Sequence, residues 1–88
     1  MKSYRYIISG NVQGVWYRRS VQRSAQAEGF SGYVRNLPDG TVEAGVSCPE
    51  VRREAFEALL YRGSSASRVD TLERFDSDER HEGVFEVR

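Results

Sequence analysis

Along residues 3–9, Tyr4, Tyr6 and Ile8 alternate with Arg5, Ile7 and Ser9. A period of two places the first set on one face of an extended chain, and these residue types favour that conformation. The pattern predicts a first strand. From Tyr17 the period changes: Tyr17, Val21, Ala25 and Glu28 fall on one face of a helical projection with Ala27 alongside, while Arg19, Gln22, Arg23 and Gln26 point mostly elsewhere. This predicts an amphipathic helix, and Gly29 is placed to end it as the left-handed residue after the last turn. Residues 30–37 return to alternation, with Phe30, Gly32 and Val34 against Ser31, Tyr33 and Arg35; residues 41–47 do the same with Val42, Ala44 and Val46. Between them, Leu37-Pro38-Asp39-Gly40 reads as a turn, because proline presets φ and Asp-Gly suits the tight positions that follow. So short a connection predicts an antiparallel hairpin.

Pro49 suits the first turn of a second helix, where no backbone N–H is needed. Ser47 or Cys48 could cap it, and Ser47 with Glu50 has capping-box spacing. Val51, Ala55, Phe56, Leu59 and Leu60 form its apolar stripe, and Gly63 closes it. After a loop at 64–67, residues 68–75 predict a fourth strand in which Val69 and Leu72 alternate only roughly. Residues 76–83 form a charged loop, and 84–87 a last short strand. The order is β-α-β-β-α-β with a short extra C-terminal strand. Helices with single apolar stripes bury them on one face of a sheet, so the expected architecture is a ferredoxin-like two-layer α/β sandwich with a mostly antiparallel sheet. Its 88 residues fit one domain spanning 1–88.

Charge narrows the range of partners. Thirteen basic residues balance thirteen acidic ones, so there is none of the basic excess that nucleic acid or an anionic membrane would attract. No apolar run approaches the length of a membrane span, and the N-terminus lacks a signal peptide's apolar core. The lone Cys48 cannot form an intramolecular disulfide. The expectation is a cytosolic, monomeric protein with no nucleic-acid or membrane partner.

The chemistry concentrates in residues 10–18, Gly-Asn-Val-Gln-Gly-Val-Trp-Tyr-Arg, at a strand-to-helix junction. Glycines at 10 and 14 allow positive φ and a tight turn. Such a turn entering a helix points several unpartnered N–H groups into one concavity, where the helix dipole adds positive potential. That is an anion site, suited above all to phosphate. Arg18, in the first helical turn, can fold its guanidinium over the same anion. A structural turn followed by an exposed arginine would show the same residues.

The pattern Gly-x-Val-Gln-Gly-Val-x-aromatic-Arg, followed by Ala25-x-x-x-Gly29 and then Gly32-Tyr33-Val34-Arg35-Asn36, resembles the signature of the acylphosphatase family. Asp39-Gly40-Thr41-Val42-Glu43 extends the resemblance in register, and looser similarity runs to the end of the chain. The resemblance implies the ferredoxin-like fold and the hydrolysis of a carboxyl–phosphate anhydride, an acyl phosphate, without metal or cofactor. By position in the motif it implies Arg18, and not Arg19, as the phosphate-binding arginine. The backbone amides of Gln13, Gly14, Val15, Trp16 and Tyr17 then serve as further donors, with Asn36 orienting the attacking water. Asn36 otherwise reads as an ordinary turn-initiating residue; Asn11 competes for the water-holding role but sits at a variable motif position. Departures from the family pattern are mild. Trp16 stands where smaller residues are usual, Tyr17 replaces phenylalanine, and Gly63-Ser64 stands where Gly-Pro is typical. Trp16 is placed to narrow the mouth of the site and alter acyl preference.

The remaining inventory agrees with so bare a site. The leaving group of an acyl phosphate is a carboxylate whose conjugate acid has a pKa of about 4 to 5, so it needs no general acid to depart. Its loose phosphoryl transition state needs positioning and charge stabilisation more than nucleophilic push. In the mechanism the family resemblance implies, the water's proton passes to a phosphoryl oxygen of the substrate. The only histidine, His81, reads as a solvated loop residue far from the motif, and no Cys/His/carboxylate cluster has metal-ligand spacing. Cys48, at a helix start, reads as a small residue of the cap region. No Gly-Lys-Ser/Thr follows the loop, so it is not a nucleotide P-loop. Three alternatives stand beside the hydrolase. One is a regulatory module of this fold that binds phosphate or a small molecule without turnover. Another, an RNA-binding module, lacks the aromatic platform that residues 41–46 would have to supply. The third is a domain cut from a larger enzyme handling carbamoyl phosphate, against which the start at Met1 and the closing strand are set.

Overall fold

Tyr4, Tyr6 and Ile8 are buried on one face of β1 (Lys2–Asn11), as their spacing predicts. The structure, a computed structural model, describes residues 1–88. After β1 come α1 (Tyr17–Ala27), β2 (Ser31–Asn36), β3 (Val42–Cys48), a 3-10 turn over Glu50–Arg52, α2 (Arg53–Arg62), β4 (Arg68–Ser77) and β5 (Phe85–Val87). The sheet order is β4-β1-β3-β2-β5, antiparallel throughout except where β5 lies parallel to β2. Both helices cover one face, giving the expected ferredoxin-like two-layer sandwich. A cluster of 17 buried residues fills the space between the layers, with Tyr17, Val21 and Ala25 of α1 and Phe56, Leu59 and Leu60 of α2 packed on Tyr6, Ile8, Val34, Val42 and Ala44. No helix is long and apolar enough to cross a membrane.

Gly29 ends α1 as predicted: its φ is +81°, and the Phe30 N–H reaches back to the Ala25 carbonyl at 2.9 Å. Glu28 and Ala27 lie exposed at this end, so the buried face of α1 is narrower than its projection suggested. The irregular spacing of Val69 and Leu72 has a local cause. Ser9 pairs with Thr71 but Gly10 with Val69, so Asp70 is extruded as a bulge and both apolar residues reach the core side. Gly10 makes this possible, because its φ is +135° and a Cβ there would overlap the Arg68 carbonyl.

Several predicted details are corrected. Ser47 does not cap α2; it lies in β3, and its hydroxyl contacts Ser3 Oγ at 2.7 Å and accepts the His81 N–H at 2.9 Å. Pro49 instead precedes the 3-10 turn, its carbonyl accepting the Arg52 N–H. Because that turn has about three residues per turn, Val51 falls off the helical stripe and is 89% exposed. Ala55, inside the regular helix α2, is exposed as well. Cys48 is a buried core residue at the end of β3, and burial pushes its thiol above its ordinary pKa. Finally, His81 is not solvated: its side chain is only 8% exposed and packs on the Tyr33 ring. That packing helps bury β3 on its second face, around Glu43 and Ser47.

Candidate active site

Residues 12–16 connect β1 to α1, and both ends are pinned in the core: Val12 and Tyr17 are buried, and Val15 packs against the same cluster. Three side chains fix the segment through four hydrogen bonds. Gln13 Nε2 donates to the carbonyls of Leu37 (2.9 Å) and Thr41 (2.8 Å). Ser64 Oγ donates to the Val15 carbonyl at 2.6 Å, and the Tyr17 hydroxyl to the Leu60 carbonyl at 2.7 Å. Gly14 (φ +73°) and Trp16 (φ +65°) both take left-handed backbone, and Trp16 is the only non-glycine residue to do so. Such alternation turns consecutive N–H groups toward one side. The helix starts as the Ser20 N–H bonds the Trp16 carbonyl. No backbone N–H from residues 13–19 donates to any acceptor in the protein. Unpaired donors at a helix start form a field that favours an anion.

The charges on α1 reinforce that field. It carries Arg18, Arg19 and Arg23 and no carboxylate, and none of the three arginines forms an ion pair. By contrast Arg5, Arg35, Arg53, Arg62, Arg68, Arg74 and Arg88 all do. Arg18 is half-buried and borders a cleft of about 520 Å³ together with Gly14, Trp16, Arg19, Gln22 and Val87. Trp16, 73% exposed, stands at its rim. Thus Arg18 and part of the 13–17 turn meet in one cleft.

Asn36 does not line that cleft. It is the last residue of β2, paired with Val42, which sets its side chain on the helix side of the sheet. The next residue, Leu37, receives the Gln13 side chain, so the strand end and the loop are directly joined. Its Oδ1 is buried with no hydrogen-bond partner. Asn11 points elsewhere, donating to the Ala66 carbonyl in the loop after α2. No group of three or more His, Cys, Asp or Glu is arranged to hold a metal ion.

Sequence reasoning counted Gln13 only for its backbone amide and gave Ser64 no part in the site. A glutamine in a glycine-rich loop carries no local mark of its partner, which lies 24 residues away. The signal at Ser64 was its position directly after the glycine that ends α2.

By architecture this is a ferredoxin-like α/β sandwich with an arginine-flanked turn of unpaired amides at its first strand–helix junction, and comparison with known proteins narrows the class. The acylphosphatase family profile matches residues 4–87. The chain is 48% identical over 81 residues to an acylphosphatase of Caldivirga maquilingensis, covering 91% of this chain and 81% of that one. It is 38% identical over 88 residues to one from Thiobacillus denitrificans, covering 100% and 98%. The crystal structure of acylphosphatase from Bacillus subtilis matches with a TM-score of 0.90 at 33% identity, covering 100% of this chain and 99% of that one. The chain belongs to the acylphosphatase family.

Proposed function

We propose that this protein hydrolyses acyl phosphates to carboxylate and inorganic phosphate without a metal ion. The phosphoryl oxygens lie against the backbone amides of residues 13–17, and Arg18 closes over them with its planar fork of donors. Asn36 holds the attacking water. The observation that carries this reading is the run of amides from 13 to 19 without an acceptor, next to an arginine without a carboxylate partner. Such preorganised donors stabilise charge that develops on the transferring phosphoryl group, which is the main demand of a loose transition state. The orphaned Oδ1 of Asn36 supports the water-holding role, because a buried acceptor without a partner accepts an O–H from water readily. The departing carboxylate needs no proton, so the site needs no general acid. In this reading the enzyme is a cytosolic monomer with a small-molecule substrate.

Turnover of a simple aryl acyl phosphate, with and without a chelator, tests it. The expected result is hydrolysis that a chelator leaves unchanged and that inorganic phosphate or sulfate inhibits competitively. Activity lost on chelation and restored by a divalent ion would refute the metal-free mechanism. Phosphate binding without turnover would refute the hydrolase reading.

A further inference from the structure

We propose that Ser64 is a positioning residue for phosphate binding: its hydroxyl holds the Val15–Trp16 peptide in the orientation that turns the Trp16 N–H into the anion site. The inference rests on the proposed role of the 13–17 amides. Ser64 Oγ donates to the Val15 carbonyl at 2.6 Å. All peptide bonds are trans, so the Trp16 N–H points opposite to that carbonyl. Drawing the carbonyl toward Ser64 therefore directs the N–H away from the loop after α2. If the peptide flipped, a carbonyl oxygen would replace the N–H and repel an anion.

Such a flip is favoured by the backbone of Trp16 itself. Rotating the 15–16 peptide carries φ of Trp16 from +65° to the negative side, where a residue with a Cβ is unstrained. The Ser64 bond opposes that relaxation. Ser64 is in turn held firmly: its N–H donates to Ser67 Oγ and its carbonyl accepts from it, both at 3.0 Å. The preceding Gly63 lies so close to the Tyr17 ring that a Cβ would collide with it. Asn11 bonds the carbonyl of Ala66 in the same loop. A rigid abutment from the α2–β4 connection thus fixes one strained peptide of the turn.

The test compares wild type, Ser64→Ala, Ser64→Thr, Trp16→Gly and the Ser64→Ala/Trp16→Gly double variant. It measures turnover of an acyl phosphate, the inhibition constant of inorganic phosphate, thermal unfolding, and the Trp16-position amide resonance without ligand. Losing one hydrogen bond from the flip equilibrium should weaken phosphate inhibition and lower kcat/KM on the order of fivefold in Ser64→Ala. The amide resonance at position 16 should shift. Ser64→Thr keeps the hydroxyl and should restore both constants. Trp16→Gly should relieve most of the Ser64→Ala defect, because glycine accepts positive φ and no longer drives the flip. Phosphate inhibition unchanged in folded Ser64→Ala overturns the proposal, as does a defect that Trp16→Gly leaves unrelieved. Wild type lacking phosphate inhibition altogether would instead overturn the assignment of the amides.

Discussion

The side-chain amide of Gln13 donates to both Leu37 O (2.9 Å) and Thr41 O (2.8 Å), tying the glycine-rich loop to the turn that follows Asn36. Both carbonyls also accept a backbone N–H within that turn, so removing Gln13 unties the loop without orphaning the turn. Gln13→Ala should therefore lower stability by about 1–2 kcal/mol, the net worth of two hydrogen bonds. It should lower kcat/KM further, by roughly tenfold or more, because small misplacements of positioned groups are expensive in rate. Turnover that falls only in step with the unfolded fraction would refute a positioning role.

Arg18→Lys keeps the charge but loses the planar fork, and an ammonium cannot reproduce bidentate contact with phosphoryl oxygens. Turnover should fall on the order of a hundredfold, the usual cost of a preorganised stabilising donor. Arg19→Lys is the internal control. Arg19 is more exposed and borders the same cleft, where a point charge suffices, so most turnover should remain. Equal losses in the two variants would show that Arg18 has no special place.

Stability should weaken toward acid in two stages. Burial holds the His81 imidazole below its ordinary pKa of 6.5, outweighing the Glu79 carboxylate nearby, so folding favours the neutral ring. That contribution is full above the unfolded value and is lost as pH falls through the lowered folded one. Burial pushes the Glu43 carboxyl up, but hydrogen bonds from Arg35 (2.7 Å) and Tyr33 (2.9 Å) outweigh it and leave the group below its ordinary 4.5. Its contribution is present above that value and lost below it. In a pH series of thermal unfolding, His81→Gln should flatten the first decline. Glu43→Gln should cost about 1–3 kcal/mol at neutral pH and flatten the second. An unchanged profile in His81→Gln would mean that the ring titrates alike in both states.

Much of this architecture was legible because local periodicity reports one buried face. Tyr4, Tyr6 and Ile8 declared β1, and Gly29 declared the end of α1. What escaped depends on contacts distant in sequence. β3 looked one-sided, yet Glu43 and Ser47 are buried because residues from 31–36 and 78–84 cover its second face. The break between Val69 and Leu72 is a bulge that only pairing with Gly10 reveals. At the site, the motif marked the loop and Arg18, while the anchors Gln13 and Ser64 act through carbonyls 24 and 49 residues away.

Asn36→Ala separates binding from water activation. If Asn36 holds the attacking water, its removal leaves the amides and Arg18 in place, so phosphate should inhibit with nearly the wild-type constant. Turnover should fall by about two orders of magnitude, the usual loss for a single positioned polar group. The fold should hold or gain slightly, because the substitution removes a buried oxygen that has no protein partner. Asn36→Asp keeps the shape but sets a negative charge in the same half-buried position at the end of β2. It should destabilise the fold at neutral pH, since a carboxylate oxygen buried without a hydrogen-bond partner is costly. It should also weaken phosphate inhibition along with turnover, through repulsion of the anion. Measured together, unfolding, phosphate inhibition and turnover should thus split for alanine and fall in concert for aspartate. Near wild-type turnover in folded Asn36→Ala would reduce Asn36 to a residue of the hairpin turn and leave the water to the substrate and the amides alone.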